Sequence, residues 1–268
     1  MKRLIINADD LGFSQEINQA IKKCYETGSI TGSSLMACGD CFDDAVSMLK
    51  DLNVATVGVH LVITGDCTPL TKDDVFVSGY KDIFLQAMTG KLDKTGIYDE
   101  FKAQVEKIKG AGLEITHLDS HEHVHMFPGI LEICLDLAVE FNIPFIRFPD
   151  EPCGIVWKEF SLKDMVRHVA LKLFAKNAQT RVERSGIKHN DVFLGHFHSG
   201  RITDTVMEHF LNSLKEGTTE IAFHPAIESA SFLEKFPWYK NASMEFATLI
   251  SGKWKDLAKE EGIELVSH

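Results

Sequence analysis

Apolar positions along this chain switch repeatedly between a strand-like run and a helical stripe. Lys2 to Asn7 holds Leu4-Ile5-Ile6 without a break, the pattern of a strand buried on both faces. Ser14 then reads as a helix N-cap, with Ile17, Ala20, Ile21, Cys24 and Tyr25 at helical spacing and Gly28 as the stop. The alternation continues with a strand over Thr31 to Cys38, a helix over Phe42 to Leu52 and a strand over Ala55 to Val62. A helix over Ile97 to Gly110 keeps Phe101, Val105 and Ile108 on one face, and a fourth strand runs from Leu113 to Asp119. Pro128 to Asn142 reads as a helix with proline near its first turn, followed by a short fifth strand, Pro144 to Phe148. A helix is expected around Leu162 to Arg181, a sixth strand over Asp191 to Gly195 and a helix over Thr205 to Lys215. A seventh strand, Thr219 to Phe223, a last helix over Ser243 to Glu261 and an eighth strand, Ile263 to Val266, complete the order.

Strands that alternate with helices from end to end predict an α/β fold: a parallel sheet with right-handed crossovers. Seven or eight such units in 268 residues suit a single domain, residues 1–268, built as an irregular (β/α) barrel. There is no repeat, low-complexity tract or linker to divide it. One stretch breaks the rhythm. Residues 63–95 are rich in Gly, Asp, Lys and Thr with weak periodicity, too long for a plain connector, and are expected to form a lid or wall over a site.

The net charge of -11 argues against a nucleic-acid backbone or an anionic membrane as partner, while a sugar is indifferent to it. No apolar run approaches the roughly 18 residues that span a bilayer. The start, Met1-Lys-Arg-Leu-Ile-Ile-Asn-Ala-Asp-Asp10, lacks a signal-peptide core, so a cytoplasmic location is expected. The 6 cysteines are scattered, and Cys38-Gly-Asp-Cys41 is a lone pair without the second one a zinc ribbon needs; free thiols are the expectation. A closed two-fold homodimer is expected, as the commonest soluble assembly.

The chemistry gathers at strand ends. Asp9 and Asp10 follow the first strand, His60 closes the third, and His117-Leu-Asp-Ser-His-Glu-His-Val-His125 straddles the end of the fourth. Arg147 follows on the fifth, His196 and His198 on the sixth and His224 on the seventh. In a (β/α) barrel these ends share one face, where active sites sit. Imidazoles at the density of the 117–125 cluster are costly to bury, because each neutral ring still needs a donor and an acceptor. They are readily kept if they face a divalent cation; the plain alternative is a histidine-rich surface loop. An extended reading puts 117, 119, 121, 123 and 125 on one face, whereas a helical turn aligns 121 with 125. Asp10, His60 and one cluster histidine make a mixed oxygen and nitrogen site with open positions, suited to Zn and also to Mg, Mn, Co or Ni. Amide hydrolysis at such a site needs an acceptor for the proton of water, which Asp9 fits, and a donor for the departing amine, which His224 fits. Arg147 is placed either to bind a sugar hydroxyl or to orient Asp9, with a structural ion pair as the plain reading. His196 and His198 read equally as half-exposed packing.

Asn7-Ala-Asp-Asp-Leu-Gly12, Gly58-Val-His-Leu61, Thr116-His-Leu-Asp-Ser-His-Glu-His-Val-His-Met-Phe-Pro128 and Phe223-His-Pro-Ala226 together resemble the YdjC-like carbohydrate deacetylases, the family that includes chitooligosaccharide deacetylase. The resemblance implies a barrel of the glycoside hydrolase/deacetylase kind, one divalent metal ion, and removal of acetyl from N-acetylated, N-acetylglucosamine-containing sugars. It also implies Asp10, His60 and His121 as ligands, with His125 as the alternative in the cluster, and Asp9 as base with His224 as acid. Gly195-His-Phe-His-Ser-Gly200 matches none of these family segments. The competing readings are another barrel metallohydrolase, an amidohydrolase or phosphoesterase, and a non-catalytic sugar-binding relative. Against the amidohydrolase stands a first strand that ends in two aspartates rather than His-x-His.

Overall fold

The computed structural model describes residues 1–65, 67–71, 75–152 and 162–268. Strand β1 (Lys2–Leu11) is buried from Leu4 onward and leads through the Ser14 cap into helix α1 (Gln15–Glu26). The next units are β2 (Gly32–Leu35) with α2 (Phe42–Asp51), then β3 (Thr56–Leu61), which leads to α3 (Tyr80–Thr89) and α4 (Lys94–Gly110). Strand β4 (Glu114–Ser120) passes through an irregular 3-10 turn, His121–Met126, into α5 (Ile130–Glu140). Helix α6 (Leu162–Ser185), β5 (Val192–Leu194), α7 (Asp204–Ser213) and β6 (Gly217–Phe223) follow, then α8 (Ala230–Lys235), α9 (Ala242–Ser251), α10 (Lys253–Glu260) and β7 (Ile263–Leu265).

The strands pair in parallel in the order β4-β3-β2-β1-β6-β5. On the β2 side of β1, β7 takes the first residues, Lys2 to Leu4, and β2 takes those from Asn7 onward. This flanking explains why β1 reads as an unbroken apolar run: it has protein on both edges and both faces.

The expected fifth strand, Pro144 to Phe148, is not a regular strand but a pair of isolated bridges, Leu118 with Ile146 and Phe145 with Lys188. Pro144 and Pro149 bound the segment and carry no N–H, so a longer ladder has no donors at either end. Its bonds run both ways. On the β4 side the Leu118 N–H donates to the Phe145 carbonyl and the Arg147 N–H to the Leu118 carbonyl, while the Ile146 N–H donates to the Lys188 carbonyl towards β5. Residues 145–148 thereby connect the two edges of the sheet, as an irregular barrel requires.

Two other expectations are corrected. The stretch 63–95 is not all loop, because its second half is α3, whose single buried residue, Ile83, leaves no apolar stripe to detect. Its first half is pinned to α4: the buried Glu100 carboxylate accepts from the Leu70 and Thr71 N–H groups and the Thr71 hydroxyl. Residues 66 and 72–74 of this stretch lie outside the described residues. The last helix is two, α9 and α10, divided at Gly252, whose φ of 68° ends one and starts the next. No described helix is long and apolar enough to cross a membrane. Cys24, Cys38, Cys41, Cys67 and Cys134 are free thiols, and Cys153 lies outside the described residues.

Candidate active site

At its carboxyl end β1 departs from regular geometry. Its register against β2 shifts between Ala8 and Leu11, and Asp10 takes a left-handed conformation, φ 66°. A non-glycine residue accepts this at a cost, and short polar side chains accept it best. The irregularity brings both carboxylates to one cavity, of about 610 Å³, that His60, His121 and His224 also line. Cavities of this size suit small-molecule ligands.

Asp10 is the hub. Its Oδ1 lies 3.2 Å from His60 Nε2 and 3.1 Å from His121 Nδ1, and its Oδ2 accepts a 2.7 Å bond from the Tyr239 hydroxyl. His60 on β3 is oriented from behind by Asp119 on β4, whose Oδ1 is 2.7 Å from His60 Nδ1. A carboxylate on one imidazole nitrogen leaves the other directed into the site, an arrangement typical of metal-bound histidine. His121 follows the end of β4 because the chain turns sharply there: Glu122 and His123 are both left-handed, each with φ 54°. The strand therefore does not carry the cluster onward on one face. His117 and Asp119 stay inside the barrel, and His121 turns to meet Asp10 111 residues earlier.

His125 goes elsewhere. Its Nδ1 is 2.6 Å from the Ser120 hydroxyl and its Nε2 is 3.0 Å from the Arg147 carbonyl, so both ring nitrogens have protein partners. An N–H donated to that carbonyl and a lone pair turned to Ser120 describe a neutral ring, and burial pushes it down to about 4. Of the two candidates, the structure brings His121 to Asp10 and His60 and leaves His125 behind the site. His123 and His196 line the cavity, with ring centroids 5.2 Å apart. His198 packs against Phe210 at 5.2 Å in the core, and burial brings it down to about 4.

Arg147 is wholly buried and makes ion pairs with three carboxylates. It grips Asp9 with two bonds of 2.6 and 2.7 Å, meets Asp119 Oδ2 at 2.8 Å and donates through Nε to Glu220 at 2.7 Å. It holds both oxygens of Asp9 and is not among the residues that line the cavity. Asn7 and Ser34 extend the network, Asn7 Nδ2 donating to Asp9 Oδ1 at 2.8 Å and Ser34 Oγ to Asp119 Oδ2 at 2.7 Å.

Three buried carboxylates, Asp9, Asp119 and Glu220, thus share a single guanidinium, and a fourth, Asp10, faces the imidazoles of His60 and His121. Burial alone would raise the Asp10 carboxyl, but His121 and His60 outweigh it and hold it well below the usual range. Burial equally favours a neutral His60, yet Asp119 and Asp10 push it up to about 10, and Asp10 raises His121 in the same way. This is a pocket that demands positive charge. The donor set, one carboxylate and two imidazoles with ligand atoms within 4.8 Å of one another, fits a divalent cation.

His224, just after the end of β6, stands beside Asp9. Its Nε2 is 3.9 Å from Asp9 Oδ2 and its Nδ1 is 3.4 Å from the Ser199 hydroxyl. Glu245 on α9 fixes its backbone by accepting the His224 N–H at 2.7 Å. Sequence reasoning missed Tyr239 and Glu245. Glu245 reads as an ordinary exposed helix acid, and Tyr239 sits in an aromatic stretch whose place beside Asp10 depends on a contact 229 residues away.

Fold and site together define a (β/α)-barrel protein with a carboxylate–imidazole centre at the carboxyl ends of its strands. The chain belongs to the YdjC-like protein family, whose pattern matches residues 3–260. It is 28% identical to a carbohydrate deacetylase of Brevibacillus brevis over 99% of this chain and 98% of that protein. Over a shorter stretch, 52% of this chain and 57% of the relative, it is 35% identical to a chitooligosaccharide deacetylase of Salmonella paratyphi B. The crystal structure of a candidate cellobiose-phosphate cleavage protein from Enterococcus faecalis V583 superposes with a TM-score of 0.77 at 23% identity, covering 99% of this chain and 97% of that one, and shares the fold.

Proposed function

We propose that this protein is a metal-dependent carbohydrate deacetylase that hydrolyses the acetamide of N-acetylglucosamine-containing oligosaccharides to a free amine and acetate. One observation carries the reading: the Asp10, His60 and His121 trio shares a cavity with the neighbouring Asp9 and His224. The names of the relatives agree with it.

A divalent cation held by Asp10, His60 and His121, with Mg or Zn foremost and Mn, Co and Ni also suited, supplies Lewis-acid polarisation of a carbonyl and a lowered pKa for water. Asp119 keeps the His60 ring in the tautomer whose Nε2 faces that position. Asp9, held rigidly by Arg147 and Asn7, accepts the proton of the attacking water. Beside it His224, backed by Ser199 and Glu245, donates a proton to the amine nitrogen as the C–N bond breaks. The two groups lie 3.9 Å apart, so both reach one bound acetamide without a large movement.

The test is acetate release from N-acetylated chitooligosaccharides before and after chelation, with metal added back, and with Asp9→Asn and His224→Ala. Loss on chelation, rescue by metal and a deficit of about a hundredfold or more in each variant are expected. Full activity in chelator removes the metal, and full activity in either variant removes its assigned role.

A further inference from the structure

A large apolar side chain on a protein surface is informative when it is part of a cavity wall. Trp238 is such a residue. It is 57% exposed, yet it lines the same cavity as Asp10 and His224. The rings it packs against are buried. Phe232, Phe236 and Tyr239 are buried and, with Phe13, form an aromatic cluster with ring centroids 4.7 to 5.8 Å apart along its closest pairs. Phe236 also meets the Trp238 indole edge-on at 5.6 Å and 68°.

The short 3-10 turn Pro237–Tyr239 divides two adjacent aromatics between two tasks. Tyr239 turns inward and hydrogen-bonds Asp10, which ties the turn to the cation site. Trp238 faces the cavity and water. Consecutive Cα atoms are about 3.8 Å apart, so the indole springs from the residue next to the one that holds Asp10, and it lines the same cavity.

We propose that Trp238 is a specificity-determining residue that stacks against the apolar face of the sugar ring adjoining the one that carries the acetamide. This deepens the deacetylase reading and rests on it. A pyranose presents a face of C–H groups, and an indole is the side chain that best covers such a face while its N–H stays wet. The aromatic cluster fixes the turn beforehand, so little freedom is lost on binding. The wall favours N-acetylated disaccharides and longer chains over N-acetylglucosamine itself.

Kinetics of wild type, Trp238→Ala and Trp238→Phe with N-acetylglucosamine and its β-1,4 disaccharide test this. The ratio of kcat/KM for disaccharide over monosaccharide is expected to fall about tenfold or more in Trp238→Ala, through KM, and to recover largely in Trp238→Phe. An unchanged ratio, or an equal loss on both sugars, overturns the proposal and marks Trp238 as structural. A second measurement needs no turnover. Disaccharide titrated into metal-stripped wild type is expected to shift indole emission, and the shift is expected to vanish in Trp238→Phe, which retains Trp157 and Trp254. A shift that persists in that variant overturns the stacking contact. Absence of acetate release from wild type sinks the deacetylase reading instead, and the emission measurement still decides the role of Trp238.

Discussion

Tyr239→Phe isolates one hydrogen bond at the centre of the site. The phenol donates to Asp10 Oδ2 at 2.7 Å, Tyr239 is 6% exposed and Asp10 is 1% exposed, so water does not readily replace the lost partner. A hydrogen bond to a charged group contributes about 1.5–3 kcal/mol. The Asp10 carboxylate would then be held in place only by His60 and His121 through its other oxygen. Removal of such an outer partner commonly weakens metal binding about 10- to 100-fold, which converts to about 1.4–2.7 kcal/mol and agrees with the bond it represents. Calorimetric titration of chelator-treated protein with Zn or Mn should therefore show a dissociation constant raised by that factor. The metal-free variant should also unfold at lower urea, with part of the deficit recovered in saturating metal, because a cation that binds only the folded state stabilises it. Equal metal affinity in the variant and wild type would refute the reasoning: Asp10 would need no orientation from Tyr239, or would not be a ligand.

Three further outcomes follow from the same geometry. Asp10→Asn removes the hub shared by His60 and His121, and metal content after dialysis against Zn or Mn should fall to background while the circular dichroism spectrum is kept. His125→Gln should behave differently, with metal content retained and a changed pH dependence. The folded ring sits at about 4, below the ordinary 6.5, so between those values the unfolded chain takes up a proton that the folded chain refuses. Wild-type stability therefore falls as pH drops from about 6.5 to about 4, and the wild-type advantage over His125→Gln in urea midpoint should shrink across that window; a constant gap would refute it. In Gly58→Ala the new Cβ would lie 2.1 Å from His117 Nε2, and that ring is stacked on His268 at 3.4 Å and bonded to Ser34 and Thr116. The ring has nowhere to move, so a loss of at least about 1–3 kcal/mol is expected in urea unfolding.

What the sequence revealed and what it concealed divide along physical lines. The central strand was readable because β1 is buried on both faces and so spells the unbroken apolar run Leu4-Ile5-Ile6. The site was readable where a strand end presents its own chemistry, as with Asp9, Asp10, His60 and His224, since parallel topology alone brings such ends together. Arg147 could be placed but not assigned, because its task depends on Asp9, Asp119 and Glu220 from three other strands. His121 and His125 could not be told apart, because two successive left-handed residues between them decide which ring faces Asp10, and neither Glu122 nor His123 announces that backbone. The fifth strand and the last helix were overextended where proline and Gly252 interrupt an otherwise adequate apolar pattern.

Glu122, the residue that turns the chain after His121, also reaches across to the front of α3. Its carboxylate accepts the Tyr80 N–H at 2.9 Å, so it caps a helix in the 63–95 stretch from within the His121 loop. Helix α3 and the His121 loop are therefore joined by one shared bond. Whatever immobilises His121 immobilises the start of α3 as well, and the Tyr80 amide becomes a reporter of occupancy. Its deuterium exchange should slow when metal is added to wild type and should lose that response in Glu122→Ala.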